Sequence, residues 1–169
     1  EFMNGELDKA HCTSFHFSKS ETEVTGEEDE AQTITTGYEK EINPSSYTEE
    51  VDPANFYDQF NDSVLSETIT KTVTDAEGST LSQTTTYLRG KNKTETVTTY
   101  ENDDFGRTVK ENTIQKKYQD GRWLPSYETE VSYTYDENGN VTETETKSRK
   151  EGETDWQIQK TKAVYDSKG

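Results

Sequence analysis

The chain has one cysteine, one methionine and three prolines in 169 residues. With Cys12 alone no intrachain disulfide can form, which excludes a disulfide-stapled miniprotein. Hydrophobic residues make up only 26%, and mean hydropathy is −1.19. Leu, Ile, Val and Phe together come to roughly 15%, too few for a large buried core. No apolar run approaches the roughly 18 residues of a membrane-spanning helix, so no membrane insertion is expected. Basic residues are scarce as well: 18 against 35 acidic ones, a formal net charge of −17. Such a surface repels phosphates, which argues against nucleic acid as a partner.

Motifs that carry chemistry are equally sparse. No Gly-rich phosphate loop, His-Glu-x-x-His or Gly-x-Ser-x-Gly pattern occurs. His11, Cys12 and His16 lie close together, but a structural zinc site takes four ligands and no second Cys/His group exists. Carboxylate pairs abound, as they must in a chain with 35 acids, yet a glycosidase dyad also needs a cleft. Asp136, Asn138 and Asn140 offer the alternating oxygens of the first half of a calcium loop but lack the bidentate Glu at its twelfth position. A type I turn followed by a Gly bulge explains the same three residues. The chain is therefore expected to be no enzyme and to hold no cofactor.

What the chain does have is a phased repeat. Asp-x-x-Gly recurs at Asp75–Gly78, Asp103–Gly106, Asp136–Gly139 and Asp166–Gly169. Asp at the first position and Gly at the fourth is the preference of a type I turn, in which the Asp side chain bonds amides further along. Midway between these turns lie Arg89-Gly90-Lys91-Asn92, Gln119-Asp120-Gly121 and Glu151-Gly152-Glu153. Trp123 and Trp156 each follow a turn glycine by 17 residues. Each repeat therefore reads as two strands, up and back. The intervening segments are rich in Thr, Tyr and Val, which favour extended backbone. In Ser126–Tyr135 the residues Tyr127, Thr129, Val131, Tyr133 and Tyr135 alternate with Ser, Glu and Thr.

These patterns predict an all-β protein: an antiparallel β-hairpin repeat meander, partly a single-layer sheet, with a less regular N-terminal region. Residues 1–63 read as an irregular acidic region with short strands, one of them around Phe15 and Phe17. The run Gly26–Glu30 reads as a turn, and Asp52-Pro53 can open one helical turn. Residues 64–169 read as the β-hairpin repeat domain. Gln157–Asp166 is expected to be an open edge capable of weak self-association, blunted by Lys160 and Lys162. Trp123, Tyr127, Tyr133, Tyr135 and Trp156 are candidate partner-binding residues, because aromatics dominate hot spots and stack on sugars and peptides. The competing reading makes them the chain's own hydrophobic cluster.

The segment Val131-Ser-Tyr-Thr-Tyr-Asp-Glu-Asn-Gly-Asn-Val-Thr142 resembles the Tyr-Asp (YD, or Rhs-type) repeats of bacterial surface and secreted proteins. Tyr165–Gly169 starts a further copy, and Tyr100–Arg107 is a degenerate one with Asn102 inserted. The resemblance implies strand-rich extended architecture, an extracellular or cell-surface location and no catalytic residues in the repeats. The strands depart from that family in carrying far more Thr and Glu than apolar residues. Thr68–Gly78 is also similar to Thr-rich hairpins of myeloid-leukaemia-factor-like and some co-chaperone proteins. Glu1-Phe2 is what a common cloning site encodes, and a native start at Met3 would instead imply a cytoplasmic protein. The expected function is a structural spacer, assembly or adhesive module. The alternative is a soluble binding module whose aromatic face takes a protein, peptide or glycan.

Overall fold

The computed structural model describes residues 14–43 and 64–165, together with the backbone of 2–3 and 6–7. Strands β1 (Phe2–Met3) and β2 (Glu6–Leu7) form a small antiparallel pair. The remaining strands are β3 (Phe15–Thr25), β4 (Gln32–Ile42), β5 (Val64–Thr74), β6 (Thr80–Arg89), β7 (Asn92–Asn102), β8 (Thr108–Gln119), β9 (Arg122–Tyr135), β10 (Val141–Lys150) and β11 (Gln157–Lys162). They build one nine-stranded sheet in strict chain order, every neighbouring pair antiparallel. The only helical element among the described residues is the short 3₁₀ turn Glu28–Glu30, inside the acidic run read as a turn.

The reversals at Asp75–Gly78, Asp103–Gly106 and Asp136–Gly139 fall where the Asp-x-x-Gly phase puts them, and Asp166–Gly169 lies outside the described residues. At each of the three described turns the Gly amide donates to the Asp carbonyl, at 3.2, 2.9 and 3.1 Å for Gly78, Gly106 and Gly139. The Asp side chain then fixes the exit strand. Asp103 Oδ1 accepts from the Phe105 and Arg107 amides at 2.9 and 3.0 Å. Asp136 Oδ1 accepts from Asn138 and Asn140 at 2.9 and 2.8 Å. At the first turn only the amide four residues on is captured, Ser79 to Asp75 at 2.7 Å. The glycine closes each turn at positive φ, 86° for Gly139, a conformation that costs an L side chain about 1–2 kcal/mol. At the other end of the sheet the β6–β7 and β8–β9 reversals are tighter, two residues each. Asp120 and Gly121 both have positive φ, 53° and 80°, as a two-residue type I′ hairpin requires.

Before residue 64 the chain holds more regular strand than its pattern predicts. The strand expected around Phe15 and Phe17 runs on to Thr25, and β4 pairs with β3 on one side and β5 on the other. The helical turn expected at Asp52-Pro53 lies outside the described residues.

Each strand packs appreciably only against its neighbours in sequence, so the described residues form no second layer over the sheet. Among the described residues only Phe15, Ile42 and Lys40 are buried. The chain exposes 11971 Å², against about 8,500 Å² for a compact monomer of this mass. Ladder hydrogen bonds and cross-strand side-chain pairs therefore carry the stability that a core supplies elsewhere.

Candidate functional site

Because the sheet is one layer, every side chain belongs to one of two faces, and the register assigns them. On the first face a row of uncharged side chains crosses all nine strands: Thr22, Thr35, Thr72, Gln83, Thr98, Thr113, Thr129, Ser148 and Gln157 stand directly opposite one another. Within it Thr98 and Thr113 share a hydrogen bond of 2.9 Å, Thr22 and Thr35 one of 3.3 Å, and Gln83 Nε2 donates to Thr72 at 3.4 Å. Thr70, Thr85 and Thr96 line up in the next row. Threonine suits this position twice over: it favours the pleat, and its hydroxyl bonds across the strand.

The second face carries the ion pairs. Glu101, Lys110, Glu130, Lys147 and Glu145 form a chain of contacts from β7 to β10, at 4.0, 3.0, 2.9 and 3.2 Å, which Lys160 continues onto β11. Lys116 pairs with Glu95 at 2.8 Å, Arg149 Nε donates to Glu128 at 2.6 Å, and Lys162 pairs with Glu143 at 2.9 Å. The Lys147 and Lys110 ammonium groups hold the Glu130 carboxyl below its ordinary range. Alternating signs across strands let an acidic chain keep like charges apart.

The five aromatics singled out from the sequence do not form one surface. Trp123 lies on the charged face, where its ring meets Tyr118 edge-on at 5.3 Å and Lys93 covers both rings at 5.2 and 5.6 Å. Tyr127 and Tyr133 lie on the hydroxyl face, where Tyr133 donates to Glu111 at 3.0 Å. Partial burial and the Glu111 carboxylate push the Tyr133 phenol up to about 12. Tyr135 spans the β8–β9 end, donating to the Thr108 carbonyl at 2.6 Å beneath the Arg107 guanidinium. Trp156 precedes β11, 37% exposed, with Arg149 over its ring at 4.5 Å. Tyr127 meets the Ser148 and Thr129 hydroxyls, whereas each of the other four has a cationic or carboxylate neighbour of its own.

Asp136, Asn138 and Asn140 stand together at the β9–β10 turn. The Asp136 carboxylate accepts the Asn138 and Asn140 amides on one oxygen and the Asn140 side chain, at 3.0 Å, on the other. These donors, led by Asn140, pull its carboxyl below the ordinary aspartate range. Among the described residues no three His, Cys, Asp or Glu side chains converge as metal ligands would.

One cluster went unread in the sequence: Ser14, His16, Glu41 and Ser66. His16 Nε2 lies 3.3 Å from Ser14 Oγ and 4.0 Å from Glu41 Oε1, and Ser66 donates to Glu41 at 3.0 Å. The Ser14 and Ser66 hydroxyls lower the Glu41 carboxyl. A nucleophile relay engages the two ring nitrogens with different partners, whereas here one nitrogen meets both, on an imidazole 75% exposed. His11 and Cys12 lie outside the described residues.

A depression of about 330 Å³ sits at the β9–β10 end, lined by Leu124, Pro125, Tyr127, Arg149 and the Glu151–Glu153 turn. It opens beside a bulge where Gln115 faces Tyr127 and Lys116 faces Pro125, skipping Ser126. The proline is tolerated in a central strand because β10 has already ended at Lys150, opposite Tyr127. No protein-family model, curated protein or solved structure matches the chain.

Proposed function

We propose that the chain is a non-catalytic β-repeat module, a structural spacer or assembly element of a bacterial surface or secreted protein. The observation that carries this reading is the wiring of the sheet: strand after strand pairs only with its neighbours in sequence, through turns of one recurring design. Such a chain extends by adding hairpins without rebuilding a core, as quasi-one-dimensional repeat proteins do. The likeness of residues 131–142 to YD repeats supports the surface setting.

Excising residues 79–106 tests the modular reading. The cut joins Gly78 to Arg107 and lets β8 take the place of β6 beside β5. The turn registers match, since Thr74 faces Thr80 as Asn102 faces Thr108. The shortened chain is expected to fold with its strand signal reduced in proportion and a modestly lower thermal midpoint. Loss of all sheet structure would rule the reading out. Titration of the intact chain with peptides and glycans adds a second check: saturable chemical-shift changes confined to one face would favour a binding module instead.

A further inference from the structure

We infer that the two edges of this sheet are complementary to each other, so that copies of the chain add head to tail, β11 of one against β3 of the next, into an open-ended continuous sheet. The inference deepens the assembly reading above and rests on it. β3 and β11 are the terminal strands, with no described strand beyond either. All of β11 and Ser20–Thr25 of β3 are exposed. Eight antiparallel steps separate the two, so they run in the same direction. A copy displaced along the sheet therefore meets its neighbour in parallel, with matching faces aligned.

One register satisfies both faces. Setting Lys160 against Glu21 of the next copy places Lys162 against Glu23, extending the lattice of alternating signs that now ends at those lysines. On the other face the same register sets Gln157, Gln159 and Thr161 beside Ser18, Ser20 and Thr22, so the uncharged surface also continues. On β11 the outward backbone groups follow from its inward ladder. The Ala163 amide bonds inward to Thr142 at 2.9 Å, so by alternation Ile158, Lys160 and Lys162 direct theirs outward. Pairing β11 with itself, centred on Lys160, sets like charges together. Pairing β3 with itself, centred on Ser20, only trades the Lys19–Glu21 contact of 3.2 Å for an equivalent one. A heterologous contact that does not close makes filaments rather than dimers. Six parallel residues between chains of charge −17 make the association weak and dependent on salt.

Sedimentation velocity on the full chain at rising concentration in physiological salt tests this. Growth past the dimer, suppressed near zero salt, is expected. Reversing one edge, by E21K/E23K or by K160E/K162E, should weaken association about tenfold. Mixing the two variants should restore growth, because each then presents the other's complement. Reversal on β11 also sets acids beside Glu143 and Glu145, so Ile158→Pro provides an independent probe. It removes an outward amide while keeping the inward ladder, and should stop growth with the strand signal retained. A strictly monomeric chain at millimolar concentration, a species that stops at the dimer, or mixed variants that stay apart would each overturn the proposal. A chain that tolerates excision of residues 79–106 yet stays monomeric overturns the edge contact alone and leaves the modular reading standing.

Discussion

Single carboxylates and phenols, rather than buried apolar groups, define this protein's response to pH. Asp103 and Asp136 are held below the usual aspartate range, Asp103 by the Arg107 guanidinium and Asp136 by the Asn140 side chain and amide. A depressed folded pKa gives stability that is present above the unfolded value of 3.8 and lost as pH falls through the folded one. Thermal midpoints are therefore expected to drop below about pH 4, and the D103N/D136N variant should start lower at neutral pH and fall less steeply. Tyr133 acts at the other extreme. Its phenol is raised to about 12, so its contribution is complete below pH 10 and disappears between 10 and 12. Tyr133→Phe should flatten that alkaline limb, and an unchanged limb would refute the assignment. At the turns, Gly139→Ala forces an L side chain to φ near 86° and is expected to cost about 1–2 kcal/mol in denaturant unfolding. The turn chemistry was legible because Asp and Gly act on their own backbone. The Tyr135 bond to Thr108 was not, since it joins residues 27 apart through a register no local pattern reveals.

At the level of strands, legibility followed the turns rather than the hydrophobic period. From β5 to β11 the phased Asp-x-x-Gly and Gly-bearing reversals marked every connection between strands, although few strands show an apolar face. β3 and β4 lack that punctuation: Gly26 and the acidic run mark one reversal, and Ser18–Thr25 carries polar residues on both faces, so no alternation appears. β4 is held along its length between β3 and β5. The split of the aromatics between faces had a related cause, because the Ser126 bulge shifts the phase between Trp123 and Tyr127. The threonine rows invite a direct test. Thr98 and Thr113 bond each other at 2.9 Å, and valine has the same shape with equal or better strand preference. Removing both partners of a hydrogen bond together leaves no orphaned group, so T98V/T113V should match the parent stability within about 0.5 kcal/mol. A loss well above that in urea unfolding would mean that the hydroxyl row contributes more than pleat geometry.

For the molecule as a whole, the governing fact is an acidic chain spread over a thin sheet. Nine strands at about 4.8 Å spacing and strands of 11 residues give a surface roughly 38 Å by 36 Å. Across it two electrostatic effects compete. The net charge of −17 drives the ends of the sheet apart, and few buried contacts oppose it. The cross-strand ion pairs pull the other way, with most of their contacts between 2.8 and 4.0 Å. Salt separates the two by distance. At physiological ionic strength the screening length is about 8 Å, longer than the ion pairs and far shorter than the sheet. Added sodium chloride therefore removes most of the repulsion while leaving much of the pairing, and stability should rise between near-zero and physiological salt. The gain should be largest at low salt and level off once the screening length falls to the spacing of the pairs. Thermal unfolding at several sodium chloride concentrations, at protein concentrations too low for association, measures this directly. A midpoint that falls steadily with salt would reverse the ranking and make the ion-pair lattice, rather than self-repulsion, the dominant electrostatic term in this sheet.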